Sequence, residues 1–280
     1  MTIEAGFANG RRKPGTAGFG PRKRMRTLPV LQRLFDACRD AFGNPARGTV
    51  PSPADVKRIC RILDVVEAED FWLTRDQPFF SPTTSGTAAG DGSTGRVKCA
   101  TIYSCCNFSL SLFFIPAGGV IPLHNHPGMT VFSKLLVGSL HIKSYDWASD
   151  HPDQSPLITA AESPRWRLAR LKSNSIFTSP CKTSVLYPTT GGNIHEFLAV
   201  TPCAVLDVMG PPYSMADGRD CSYYRDYAYA DGLSRQPHLA YKDLRGIDVE
   251  GEEYGWLEEI EMEDPPIDGI EYMGPQITLH

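Results

Sequence analysis

The chain has no apolar run approaching the ~18–20 residues of a membrane-spanning helix. Its opening stretch, M-T-I-E-A-G-F-A-N-G-R-R-K, contains no apolar core of the kind a secretory signal needs, so no export is expected. None of its eight cysteines (Cys38, Cys60, Cys99, Cys105, Cys106, Cys181, Cys203, Cys221) forms a C-x-x-C pair. An even cysteine count in a chain of this length, without a signal segment, reads as reduced thiols in a cytoplasmic or nuclear protein. No glycine-rich dinucleotide fingerprint stands between a strand and a helix. An overall basic excess is also missing: the net charge of −4 argues against a dedicated nucleic-acid binder.

What charge there is lies unevenly. Arg11 to Arg26 holds seven basic residues and no acidic one, while Asp248 to Glu271 holds eleven acidic residues and no basic one. Residues 1–26 are Gly-rich and basic with little to bury, and are expected to be a disordered tail; R-R-K at 11–13 and R-K-R-M-R at 22–26 fit either a nuclear import signal or a solvated tail. Residues 27–245 are expected to form the folded domain. The acidic segment 246–280 is expected either to dock on that domain or to stay mobile.

The domain begins with helix grammar. Leu31, Leu34, Phe35 and Cys38 form an amphipathic stripe between Leu28 and Phe42, with Gly43 as a stop. Ser52-Pro53-Ala54-Asp55 opens a second helix with stripe Val56, Ile59, Cys60 and Leu63. Both read as cover for a sheet. After a Gly/Ser/Thr/Ala loop at 86–95, short strands follow between Gly and Pro turns: Val97–Ser104, Phe108–Ile115, Thr130–Val137, Ser139–Tyr145, Trp166–Leu171, Val185–Tyr187, His195–Thr201 and Ala204–Met209. Gly138-Ser139 supplies a hairpin-compatible break. The fold expected is mainly β, a sandwich or barrel with N-terminal helices.

Within it, Gly118 to Thr130 reads G-G-V-I-P-L-H-N-H-P-G-M-T. Residues i and i+2 of a strand share a face, so His124 and His126 aim two imidazoles at one place. The other histidines lack such a pattern. His141 alternates with Leu140 and Ile142 and should face the polar side, and His151, His238 and His280 read as ordinary surface residues.

The frame Gly118, five residues, His124, Asn125, His126, four residues, Val131, six residues, Gly138 resembles the cupin motif G-x5-H-x-H-x3–4-E-x6-G. That resemblance implies a double-stranded β-helix, or jelly-roll, barrel. It implies a third histidine from a later strand, where P-T-T-G-G-N-I-H ends at His195. The departure is Val131, which stands where most cupins place a glutamate ligand. Three imidazoles without a carboxylate suit iron, copper, zinc or nickel. They leave up to three octahedral positions free for a bidentate substrate and O2, and the extra positive charge favours an anionic ligand such as a thiolate.

A cupin with three histidines and no glutamate resembles the thiol dioxygenases. I-P-L-H-N-H-P-G-M-T-V-F-S-K-L-L-V-G-S-L-H-I-K-S-Y-D-W, together with D-V-M-G-P-P-Y-S-M-A-D-G-R-D-C-S-Y-Y from Asp207 to Tyr224, is similar to the plant cysteine oxidases, relatives of animal cysteamine dioxygenase. The likeness runs from Leu28 to about Tyr224. It implies an iron(II), Fe(2+), enzyme that uses O2 to oxidise the N-terminal cysteine of proteins to the sulfinic acid, with group VII ethylene-response transcription factors as plant substrates and degradation of the oxidised protein as an oxygen-sensing output. It implies neither nucleic-acid nor membrane partners, and a monomer is expected.

Four further residues are candidates. Asp207 in A-V-L-D-V-M either faces solvent by alternation or accepts a hydrogen bond from the substrate amine; an acid among apolar residues needs a partner if buried, and the second reading is preferred. Tyr213 is either a residue beside the ligands or site entrance, or an ordinary amphipathic tyrosine. Cys221 and Tyr223 are spaced as in thiol dioxygenases that form a Cys–Tyr thioether, although a structural or hydrogen-bonding role is preferred, with Tyr223 orienting O2 or substrate.

Three alternatives remain open. Oxidation of free cysteine predicts an arginine clamp for its carboxylate, with Arg96, Arg165, Arg167, Arg170, Arg219 and Arg225 available, whereas oxidation of cysteamine does not. A non-catalytic metal-binding cupin predicts metal without O2 uptake. A manganese oxalate oxidase or a zinc isomerase is disfavoured by Val131.

Overall fold

The computed structural model describes residues 29–43, 50–74, 95–148, 166–230 and 253–279. The basic tail expected at 1–26 lies outside them, as do His151, His238, His280 and Arg165.

Two helices lead the fold, α1 (Val30–Phe42) and α2 (Pro53–Leu63). Leu31, Leu34, Phe35 and Cys38 form the buried side of α1, and Gly43 ends it by donating its N–H to the Arg39 carbonyl. Ser52 caps α2, its Oγ accepting from the Asp55 N–H at 3.2 Å, with Pro53 at the first helical position. Helices this short are marginal in water alone. Full burial of Leu34, Phe35, Ile59 and Leu63, each contributing roughly 1.5–3 kcal/mol, binds them to the sheet beneath.

Among the described residues, twelve strands follow: β1 (Val97–Ser104), β2 (Ser109–Ile115), β3 (Val120–His124), β4 (Thr130–Val137), β5 (Ser139–Trp147), β6 (Trp166–Thr178), β7 (Ser184–Leu186), β8 (Ile194–Ala199), β9 (Cys203–Gly210), β10 (Tyr223–Ala228), β11 (Tyr254–Ile260) and β12 (Ile267–Ile270). One sheet has the order β12-β1-β2-β9-β4-β7. The other, β10-β11-β6-β5-β8-β3, closes on itself where Tyr223 pairs with His124.

Strand alternation sorts the core into layers. Ala100, Leu110, Leu112, Phe132, Leu136, Leu206 and Val208 face the helices. Val97, Ile115, Leu135 and Val205 point the other way, against Ile121, Leu140 and Phe197 of the second sheet. The first sheet is therefore covered on both sides, and all eight residues of β9 are buried. Facing sheets of this kind, under a helical layer, form the double-stranded β-helix of the cupin fold.

One expectation is corrected here, and one open choice is decided. Gly138 does not turn a hairpin, because β4 and β5 belong to different sheets and the chain crosses between them. Its φ is +91°, and a Cβ would stand 2.3 Å from the Pro202 carbonyl oxygen; only glycine makes that crossing. Of the two options for the acidic segment, docking is the one found for residues 253–279. β11 completes the closed sheet between β10 and β6, and β12 runs parallel to β1. Trp256 and Leu257, both fully buried, account for this despite the surrounding carboxylates. Past β12, Thr278 lies against α1, where the Gln32 side chain donates to the Thr278 carbonyl and accepts from the Thr278 N–H.

Candidate metal centre

β3 and β8 are antiparallel neighbours, and their register sets His124 directly opposite His195. His126 lies two residues on, beyond the end of β3, in a turn closed by the Met129 N–H on the His126 carbonyl. The three rings form a near-equilateral triangle, with centroids 4.9, 4.8 and 4.9 Å apart. Their donor atoms lie within 4.8 Å of one another, and all three residues are buried. Among the described residues this is the one group of three such side chains placed to hold an ion.

The rings are also prepared electronically. A carbonyl only accepts, so His124 Nδ1 carries the proton it gives to the Pro122 oxygen at 2.7 Å. Tyr213 Oη donates to the Asn125 carbonyl at 2.8 Å, so it accepts from His126 Nδ1, also at 2.8 Å. The His195 ring hydrogen-bonds the Gly192 carbonyl. His126 Nε2 is left buried without a partner, which is the state a ligand nitrogen needs before an ion arrives. Burial first, then mutual repulsion, holds His126 and His195 well below the ordinary imidazole range. Burial lowers His124 too, against the opposing pull of the Pro122 and His195 carbonyls. Neutral imidazoles with oriented lone pairs are the donor set that imidazole-loving metals require.

Val131 is where the motif places it, buried with Met129, Leu186 and Met209 and packed by Tyr213. The corner that a glutamate would occupy is an apolar wall. Beside His195 lies a cavity of about 110 Å³, lined among others by Val131, Ser133, Ser144, Leu186 and Phe197.

Asp207 faces the space between the sheets, on the same side of β9 as Val205 and Met209, with Ser111 and Ser133 as its cross-strand neighbours. The solvent-facing option fails because both faces of β9 are covered. Burial pushes its carboxyl up to about 7, partly offset by hydrogen bonding from Ser133. Its Oδ1 has no partner among the described residues.

Tyr213, Cys221 and Tyr223 come together. Burial raises the Cys221 thiol, and its hydrogen-bonding contacts with the Tyr213 and Tyr223 side chains oppose that rise. Burial also pushes Tyr223 up to about 12, and its ring centroid is 6.3 Å from that of His124. This group opens into a cleft of about 340 Å³ lined by Asp220, Cys221, Tyr223, Glu259, Glu261 and Glu263.

Sequence reasoning passed over Asn125, the middle residue of H-N-H. Its N–H donates to the Ser222 carbonyl, its Oδ1 accepts from the Ser222 N–H, and its Nδ2 donates to Tyr224 Oη. It staples the Cys221–Tyr223 segment to the histidine turn. Ser111 and Ser133 were missed as well, although a serine alternating among apolar residues in S-L-S-L-F-F is a readable sign of a polar spot in the interior. Four of the candidate arginines are engaged with other side chains: Arg96 pairs with Asp264 and Asp268, Arg219 with Asp217, Arg225 with Glu258, and Arg167 covers Trp147.

A family model described as PCO_ADO matches residues 62–277. The chain belongs to the PCO_ADO family. It is 43% identical over 258 residues to plant cysteine oxidase 2 of Arabidopsis thaliana, covering 91% of this chain and 86% of that one. With plant cysteine oxidase 1 of the same organism it shares 42% over 255 residues, 89% of this chain and 81% of that one. The 2-aminoethanethiol dioxygenase of Mus musculus is 32% identical over 219 residues, 73% of this chain and 82% of that protein. As a PCO_ADO member the chain is a thiol dioxygenase, an oxidoreductase whose co-substrate is O2. The matched span includes β11 and β12, in keeping with their place inside the fold.

Proposed function

We propose that this thiol dioxygenase is iron(II)-dependent and oxidises the N-terminal cysteine of protein substrates to the sulfinic acid, so that their degradation reports the oxygen supply. In the reaction RSH + O2 → RSO2H both oxygen atoms go to sulfur, which supplies all four electrons, and no outside reductant enters. An ion held by His124, His126 and His195 would supply the redox centre at which thiol and O2 meet.

The chain's own residues do the rest. Tyr213 and the Pro122 and Gly192 carbonyls hold the imidazole protons away from the ion. Val131 excludes a fourth protein ligand, and the apolar wall around it excludes water. Asp207, ionised as the pH passes about 7, accepts a hydrogen bond from the substrate α-amino group, directly or through a water. Tyr223 and Cys221 flank the approach and orient the incoming thiol.

The observation that carries the choice of substrate is the charge around the site. Among the described residues, no arginine or lysine lines either the cavity at His195 or the cleft at Cys221, and Asp220, Glu259, Glu261 and Glu263 line the cleft. A free amino acid would bring its carboxylate against these acids unclamped, whereas a peptide N-terminus brings only an amine. A small aminothiol also has no carboxylate, so cysteamine is the second reading. Group VII ethylene-response transcription factors are the substrates we propose in a plant setting. A monomer acting in the cytoplasm or nucleus fits the eight free cysteines.

The test is anaerobic iron loading, then O2, with a Cys-initiated peptide, free cysteine and cysteamine in competition. Mass spectrometry should find two oxygen atoms gained by the peptide first. Preferential oxidation of free cysteine would overturn the substrate assignment, and retention of iron without O2 uptake would point to a binding module.

A further inference from the structure

We infer that Asp146 and Asn193 are positioning residues, one buried carboxylate and one amide that together set the places of His126 and His195. The inference rests on the metal-site reading above. Asp146, at the end of β5, is 2% exposed. A carboxylate so buried is costly unless its oxygens are satisfied. Three consecutive backbone N–H groups satisfy them: Gly191 at 3.1 Å, Gly192 at 2.8 Å and Asn193 at 3.1 Å. The loop can turn its amides inward because Gly191 and Gly192 both have positive φ, +87° and +83°. A Cβ on Gly192 would stand 2.6 Å from Ser144 Oγ. The result is an anion-binding nest of backbone amides filled by the protein's own carboxylate.

From this nest two arms reach the metal triangle. The Gly192 carbonyl, fixed when its amide is held, accepts from the His195 ring. The Asn193 side chain grips the backbone of His126 from both sides: Oδ1 accepts from the His126 N–H at 3.0 Å, and Nδ2 donates to the His126 carbonyl at 2.9 Å and to the Tyr187 carbonyl at 2.8 Å. His126 belongs to no strand, so this amide does for it what a neighbouring strand does for His124. Two ligands on different segments thus share one anchor. Freeing either arm should let a ring leave its place.

Loss of groups that orient metal ligands lowers metal affinity about 10- to 100-fold. The experiment uses the full chain without metal, anaerobically, with Co(II) as probe: affinity by chelator competition and the visible ligand-field spectrum, alongside thermal melting. Asp146→Asn keeps the shape but turns one N–H2 toward the backbone donors, and Asn193→Ala removes the grip on His126. Both should bind Co(II) about 10- to 100-fold more weakly and with an altered spectrum. Gln32→Ala, which breaks the distant Thr278 clamp, should lower the melting temperature and leave both Co(II) readouts unchanged. Wild-type Co(II) affinity and spectrum in Asp146→Asn and Asn193→Ala, with only a lower melting temperature, would reduce the pair to fold supports and overturn the inference. Should Asp146→Asn fail to fold, Asn193→Ala and Asn193→Asp carry the same criterion. Equal Co(II) binding by the parent and by His195→Ala would instead remove the metal site itself.

Discussion

His124 and His195 face each other across paired strands, and every ring of the triad has one nitrogen tied to the protein. The opposite flank, Tyr213, Cys221 and Tyr223, sits on or beside a connection between β9 and β10 whose only regular structure is a three-residue 3-10 turn, Met215–Asp217. Asn125 is the staple between the two flanks. The contrast separates tasks. Strand register and buried amides hold the ligands to a fixed geometry, which a redox ion needs. A connection built from turns, half-buried and opening on a cleft, is suited to yield to the peptide substrates proposed above.

The hardest way to break this comparison is to remove a corner of the rigid flank. His195→Ala leaves two imidazoles and a void against Phe197, on which His195 stacks at 4.6 Å. Losing an orienting partner costs about 10- to 100-fold in affinity, so losing a ligand should cost more. Iron content should fall to background, with turnover. An active variant with stoichiometric iron would remove His195 from the triad.

Asp207→Asn is expected to have the next largest effect. A hydrogen bond to a charged group is worth about 1.5–3 kcal/mol, so kcat/KM should fall roughly 10- to 100-fold with iron retained. The parent should also gain activity as the pH rises through about 7, and the variant should lack that limb. Stability should move oppositely. A carboxyl raised from 3.8 to about 7 keeps its proton in the folded state only; the stability this represents is complete below pH ~4 and lost as the pH climbs through about 7, on the order of 4 kcal/mol. In metal-free protein, Asp207→Asn should therefore out-melt the parent at pH 8, and the gap should close at pH 4. Equal melting at both would return Asp207 to the ordinary polar interior.

What was legible in the sequence follows from where each signal comes from. Thr130–Val137 is a local pattern that the structure reproduces; the H-x-H pair does converge, but not by strand alternation, because β3 ends at His124 and His126 is held in a turn by Asn193. The alternation of A-V-L-D-V-M was just as clear, but it left Asp207 a solvent-facing option, because a helical layer over β9 is not visible within six residues. In the acidic tail, Trp256 and Leu257 were readable as apolar residues, but eleven carboxylates around them left docking and mobility equally open. In Y-Y-R-D-Y-A, polar and aromatic residues hid a strand whose partners lie far along the chain. Asp146 and Asn193 were illegible for another reason: their contacts are to backbone, and backbone contacts leave no residue-type signature.

Tyr213→Phe tests the join between the flanks. It removes the acceptor for His126 Nδ1 and the donor to the Asn125 carbonyl. A buried N–H left unpaired costs about 1–3 kcal/mol, so metal affinity should drop about tenfold, with a freer Cys221–Tyr223 segment. Unchanged affinity would mean that the Asn125 staple suffices.

Tyr223→Phe should have the smallest effect and sharpens the contrast most. The ring stays, and so does the backbone pairing of residue 223 with His124, so iron binding should be unaltered. Only the hydroxyl shared with Cys221 is lost. One hydrogen bond of this kind is worth about 0.5–1.5 kcal/mol, which predicts a two- to tenfold loss in kcat/KM, roughly. If the flank orients substrate, the loss should grow from a short Cys-initiated peptide to a long one, because more of the longer chain lies along the cleft. A uniform loss would assign the hydroxyl to O2 or thiol placement near the triad, and no loss at all would strip Tyr223 of any role beyond closing the sheet.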